Sequence, residues 1–126
     1  MSSLLIIEDD ANLRMILRNI IEQAGHRVCV ATDGKDALTK IQEDPPDLVI
    51  TDIIMPEKEG IEVILCLRKN YPDIRIIAMS GGGQLGADHY LDMAHEFGAH
   101  ITIPKPFDKQ IILDAINQLL TPLKSQ

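Results

Sequence analysis

Five short apolar runs recur along this chain, Leu4 to Ile7, Arg27 to Ala31, Leu48 to Asp52, Ile74 to Met79 and His100 to Ile103, and each precedes a stretch able to form a helix. Strands that alternate with helices imply a parallel sheet, because parallel neighbours need a crossover connection and helices on both faces supply it. The fold class expected is therefore α/β, a doubly wound five-stranded parallel sheet. The third run constrains it most. Leu48-Val49-Ile50-Thr51-Asp52-Ile53-Ile54-Met55-Pro56 follows Pro45-Pro46 and stops at Pro56, so it reads as a strand buried on both faces. Asp52 sits where that strand surfaces. A carboxylate in such a place calls for partners.

The helices follow from spacing. Leu13, Ile16, Leu17, Ile20, Ile21 and Ala24 recur at three and four residues, with Gly25 as the stop and Asp10 as the N-cap. Asp33 caps a second helix carrying Ala37, Leu38 and Ile41. A third, over about 58–70, turns Ile61, Ile64 and Leu65 inward and ends at Tyr71-Pro72-Asp73. A fourth, weakly periodic, is expected over 84–97 after three glycines that loosen its start. The last begins at Asp108 with the pairs Ile111/Ile112, Ala115/Ile116 and Leu119/Leu120. Pro104 and Pro106 flank Lys105, and proline at a strand end places the fifth strand at a sheet edge.

In a parallel sheet all C-terminal strand ends lie along one rim, and ligands bind there where the strand order reverses. The rim positions are Glu8 and Asp9, Ala31 and Thr32, Asp52, Ser80, and Lys105. Three carboxylates gathered together repel, by about 4 kcal/mol per pair at 4 Å and an effective dielectric of 20. An all-oxygen acidic set favours a hard dication, and Mg²⁺ is usually held by one or two carboxylates, waters and a phosphate. An Asp carboxylate is also a nucleophile able to form an aspartyl-phosphate. Lys105 would neutralise phosphoryl charge and the Ser80 hydroxyl would hydrogen-bond a phosphoryl oxygen.

Charge and composition narrow the partners. A net charge of -7 and a pI of about 4.9 argue against nucleic acid or an anionic membrane as the main surface. The 126 residues, 45% of them hydrophobic, suit one domain with a proper core. No apolar run approaches a membrane span and the start lacks a basic signal region, so a cytoplasmic protein is expected. Cys29 and Cys66 read as buried small residues of a reducing compartment. His26, His89, His95 and His100 lack metal-ligand spacing and read as surface histidines. Gly81-Gly82-Gly83-Gln84-Leu85-Gly86 matches G-x-G-x-x-G formally, but no acidic ribose partner follows at the required distance.

Ile7-Glu8-Asp9-Asp10, Asp52-Ile53-Ile54-Met55-Pro56 with Gly60, Ser80-Gly81, and Lys105-Pro106-Phe107 together resemble the receiver domain of two-component response regulators, across essentially the whole chain. The resemblance implies a flavodoxin-like sheet of order 2-1-3-4-5 and a single receiver domain over residues 1–126, with no output domain attached. It implies that Asp52 accepts a phosphoryl group from a phosphohistidine on a sensor histidine kinase or a histidine phosphotransfer protein. Glu8, Asp9, Asp52 and the Ile54 carbonyl would hold Mg²⁺, Ser80 would be the switch hydroxyl and Lys105 the phosphate-binding lysine. It further implies a cis peptide at Lys105-Pro106. A downstream protein would meet the face of the last two helices and the fifth strand, with neither nucleic acid nor membrane contacted directly.

Two departures bear on switching. Thr102 stands where the family usually carries the Tyr or Phe that moves with the switch hydroxyl, and the segment from Ser80 to Lys105 is longer than usual. Ile54 and Gly82 offer no side-chain polar group to orient an attacking water, which predicts slow loss of the phosphoryl group. Two alternatives compete: a docking module that keeps the fold without phosphorylation, and an aspartate-nucleophile phosphohydrolase. The second usually needs an Asp where this chain has Ile54.

Overall fold

The computed structural model describes residues 2–52, 59–80, 98–105 and 107–120, with the side chains of Glu59 and Ser80 outside that set. The elements are β1 (Ser3–Ile7), α1 (Ala11–Gln23), β2 (Arg27–Ala31), α2 (Gly34–Glu43), β3 (Leu48–Asp52), α3 (Glu59–Asn70), β4 (Arg75–Ser80), β5 (Ile101–Pro104) and α4 (Lys109–Leu120). The helix expected over 84–97 lies outside the described residues. All neighbouring strands pair in parallel, in the order β2-β1-β3-β4-β5. β5 is an edge strand, as its prolines required, and Pro104 pairs opposite Ser80.

The sheet is covered on both faces. Leu4, Ile6, Leu48, Ile50, Ile77 and Met79 pack against α1 and α4 through Leu17, Ile21, Ile112 and Ile116. Their strand neighbours Leu5, Ile7, Val49, Ile76 and Ala78 pack the other way, against Ala37 and Ile41 of α2 and Val63, Ile64 and Leu67 of α3. Period-two alternation thus serves two cores, and all five residues of central β3 are buried.

Caps fall where short polar side chains allowed them. Asp10 Oδ1 accepts from the Asn12 and Leu13 amides at 2.9 and 3.4 Å, and Asp33 Oδ1 accepts from Asp36 at 2.8 Å. After α1, Gly25 takes φ +99°, a left-handed turn at which a side chain would be strained.

Several expectations fail on side-chain direction. Ile16 and Leu65 are exposed rather than inward, because each helix presents a narrow stripe to the sheet, such as Leu17 and Ile21 in α1. Cys29 is exposed, since β2 is the other edge strand and alternates outward at Arg27 and Cys29. His100 is half-buried rather than a surface residue: its Nδ1 accepts the Ile76 amide at 3.0 Å. His26 is also half-buried.

Candidate functional site

The strand order turns at β1 and β3: the chain runs from β1 outward to β2, then crosses back to add β3 on the other side. The crevice beyond the C-terminal ends of those two strands is where Glu8 and Asp52 emerge. Glu8 is fixed by backbone contacts on both sides. Its amide donates to the Ala31 carbonyl at 3.1 Å, closing the β1–β2 ladder, and its carbonyl accepts from Arg14 Nη1 at 2.7 Å. Glu8 Oε2 in turn accepts from the Asp10 amide at 3.1 Å. Thr51 Oγ1 donates to the Asp52 carbonyl at 3.2 Å, holding the end of β3.

Residues far apart in sequence meet here. One carboxylate oxygen from each of Glu8, Asp9 and Asp52 can be chosen so that all lie within 4.8 Å of one another. Lys105, just past the end of β5, places Nζ 2.8 Å from Asp52 Oδ2 and 3.3 Å from Glu8 Oε1. Glu8 is 1% exposed and Asp52 5%, while Asp9 is exposed, so the cluster has buried walls and an open side. That acidic pocket could bind a metal: its donors are all oxygen, as hard dications prefer.

The electrostatics show an under-neutralised site. Burial, reinforced by the Asp52 charge and a hydrogen bond with Asp9, pushes Glu8 up to about 7 against the pull of the Asp10 amide and Lys105. For Lys105, burial works toward a lower value, but the hydrogen bonds and charges of Asp52 and Glu8 outweigh it and hold the ammonium above its usual range. Among the described residues one cation, Lys105, stands among three carboxylates. A second fits that balance.

Other expected positions are placed less completely. Ala31 and Thr32 end and follow β2, and the backbone of Ser80 ends β4 on the same rim. The Ser80 side chain, Ile54, Gly82, and the Lys105-Pro106 peptide lie outside the described residues. Thr102 is half-buried in β5, opposite Ala78.

Arg14 was missed from the sequence, although an arginine one turn into the helix behind an acidic strand end is a readable signal. Also missed was a groove of about 570 Å³ between α1 and the segment leading into α4, with Leu13, Ile16, Ile20, Lys105 and Phe107 in its lining. Ile16 in its lining is 54% exposed. The spacing of α1 counted Ile16 as core, which hid the surface.

A family profile described as "Response regulator receiver domain" matches residues 4–117. The chain is 39% identical over 116 residues to the chemotaxis protein CheY of Thermotoga maritima, covering 91% of this chain and 94% of that protein. It is 33% identical over 122 residues to sporulation initiation phosphotransferase F of Bacillus subtilis, covering 97% and 95%. Against the transcriptional regulatory protein CpxR of Escherichia coli it is 33% identical and spans 50% of that protein's length. The high-resolution structure of the chemotaxis response regulator CheY4 of Vibrio cholerae superposes with a TM-score of 0.84 at 25% identity, covering 95% of this chain and 99% of that one.

Proposed function

Because this chain belongs to the response regulator receiver family of two-component signalling, we propose that it is a Mg²⁺-dependent phosphoacceptor, modified on Asp52, that changes its affinity for a partner protein. The observation that carries this reading is the contact of Asp52 with Lys105 at 2.8 Å inside a ring completed by Glu8 and Asp9. A carboxylate oxygen of Asp52 attacks phosphorus as the phosphorus–nitrogen bond of a donor phosphohistidine breaks, and the electron pair returns to the donor's imidazole. When bound, Mg²⁺ supplies charge neutralisation for the phosphoryl oxygens. Glu8, Asp9 and Asp52 would hold it, together with the Ile54 carbonyl.

Lys105 orients the acceptor carboxylate through its hydrogen bond and stands ready to follow the added charge. Ser80, at the end of β4, would hydrogen-bond the phosphoryl group. The two inward contacts would bias the β4–β5 side of the sheet between two arrangements, read by a target at β5 and α4. Thr102 in place of a large aromatic weakens that coupling. With no polar side chain at Ile54 or Gly82, hydrolysis of the aspartyl-phosphate is slow, so the protein acts as a switch rather than a phosphatase. The donor is a histidine kinase or histidine phosphotransfer protein, and a net charge of -7 disfavours DNA or an anionic membrane as a direct partner of these residues. The described helices contain none long and apolar enough to cross a membrane.

The test is incubation with acetyl phosphate or beryllofluoride and Mg²⁺, followed by mass spectrometry and amide spectra. A phosphorylated species that disappears with EDTA and in Asp52→Ala is the expected result. An unmodified protein, or modification that persists in Asp52→Ala, overturns the assignment.

A further inference from the structure

At the opposite end of the sheet from the acidic pocket, His100 closes a gap between two strands. The β4–β5 ladder begins at Ile77 and Ile101, so Ile76 lies one residue before it. The Ile76 carbonyl accepts from the His100 amide at 2.9 Å, and the Ile76 amide donates to His100 Nδ1 at 3.0 Å. One residue thus satisfies both backbone polar groups of Ile76, the ring standing in for an acceptor that β5 does not extend far enough to supply. Ile76 is fully buried, so an unmade bond at its amide leaves a desolvated donor.

An Nδ1 that accepts a hydrogen bond carries no proton, which assigns the ring as the neutral Nε2–H form. Protonation would set an N–H against the Ile76 N–H. The charged groups acting on the ring are Arg68, from the last turn of α3, and Arg75, at the first residue of β4; on β5's side the approach is made by His100 itself. Arg68 is held in place by packing: a Cβ on Gly98 would lie 2.3 Å from Arg68 Cγ, and Arg68 Nη1 donates to the Pro72 carbonyl at 3.3 Å. Burial first, then Arg68 and Arg75, keep the imidazole below the usual histidine value.

We propose that His100 is a proton-sensitive clasp: its neutral ring holds the start of edge strand β5 onto β4, and protonation in mild acid releases that end of the strand. Among the described strands β5 pairs with β4 alone, so its start is held to the sheet from that side. The sign follows from linkage. The released form binds the proton that the clasped form excludes, so the clasp is at full strength above 6.5 and weakens as pH falls through the window between 6.5 and the lower clasped value. Within that window opening rises by up to about tenfold per pH unit.

Hydrogen exchange of the full chain by NMR from pH 7.5 to 5 tests it, with rates corrected for intrinsic exchange. Protection of the Ile76 amide is expected to fall by up to about tenfold per pH unit below 6.5, relative to Ile50 in central β3. In His100→Asn the side-chain oxygen can accept from Ile76 but cannot titrate, so the ratio should become flat with pH. Should that variant fail to fold, the wild-type ratio and the ¹⁵N shifts of the His100 ring still decide. A wild-type ratio that does not change with pH, a His100→Asn ratio that falls like wild type, or a ring protonated on Nδ1 at pH 7 overturns the proposal.

Discussion

Glu8 carries the largest electrostatic cost among the described residues whose ionisation is shifted, because it is 1% exposed, faces Asp52 and shares one lysine with it. Its value near 7, against 4.5 for an unperturbed carboxyl, means the folded, metal-free chain binds a proton that the unfolded chain releases between those limits. Stability from this group is therefore greatest at the acid end of the window and is lost as pH rises through 7. Glu8→Gln removes the cost while keeping an acceptor for the Asp10 amide, though it gives up the 3.3 Å contact with Lys105. In EDTA at pH 8 the variant should be more stable than wild type by about 1–3 kcal/mol, the gain shrinking toward zero near pH 5. Urea denaturation at the two pH values measures it. A difference that stays constant with pH would place the strain elsewhere than on ionised Glu8.

At the scale of elements, strand ends were far more legible than helix faces. A buried strand has one way to end, so Glu8, Asp52 and Lys105 could be assigned to a common rim before any coordinates, and the edge position of β5 followed from Pro104. A helix with apolar residues around half its girth leaves its contact angle undetermined, and Ile16 and Leu65 were assigned inward for that reason. His100 was illegible because its hydrogen bond reaches 24 residues back to a backbone amide, a contact with no local pattern. The misread helix face has its own consequence. Ile16 stands exposed on α1 in the lining of the groove that also takes in Lys105, an apolar surface that, on the proposed function, suits a protein donor whose histidine would reach Asp52. Ile16→Glu should shift unfolding by no more than about 0.5 kcal/mol. Phosphotransfer from a protein donor should slow at least about tenfold, as expected for loss of a buried apolar contact. The rate with acetyl phosphate, which needs no docking surface, should stay at the wild-type level. Equal losses with both donors would mean that Ile16 supports the pocket itself.

At the scale of the molecule, the pocket exists only when the sheet is complete, since its carboxylates and Lys105 come from the C-terminal ends of β1, β3 and β5, which two layers of core hold in order. The unfolded chain cannot reproduce carboxylates within 4.8 Å that lie 44 residues apart, so Mg²⁺ should bind the native state selectively and stabilise it by mass action. At about a hundred times its dissociation constant the increment is about 2.7 kcal/mol. Asp52→Asn deletes one of the three carboxylates: without metal it should be at least as stable as wild type, and the Mg²⁺ increment should largely vanish. Ile6→Ala makes the opposite change. Ile6 is fully buried between the sheet and α1, and its truncation should cost about 2–5 kcal/mol with or without Mg²⁺. Because it touches the core and not the ligands, its Mg²⁺ increment should match wild type within about 0.5 kcal/mol. Urea midpoints of the three proteins with EDTA and with Mg²⁺ separate the two contributions. An increment that survives Asp52→Asn, or that falls in proportion to stability in Ile6→Ala, would place metal stabilisation somewhere other than this rim.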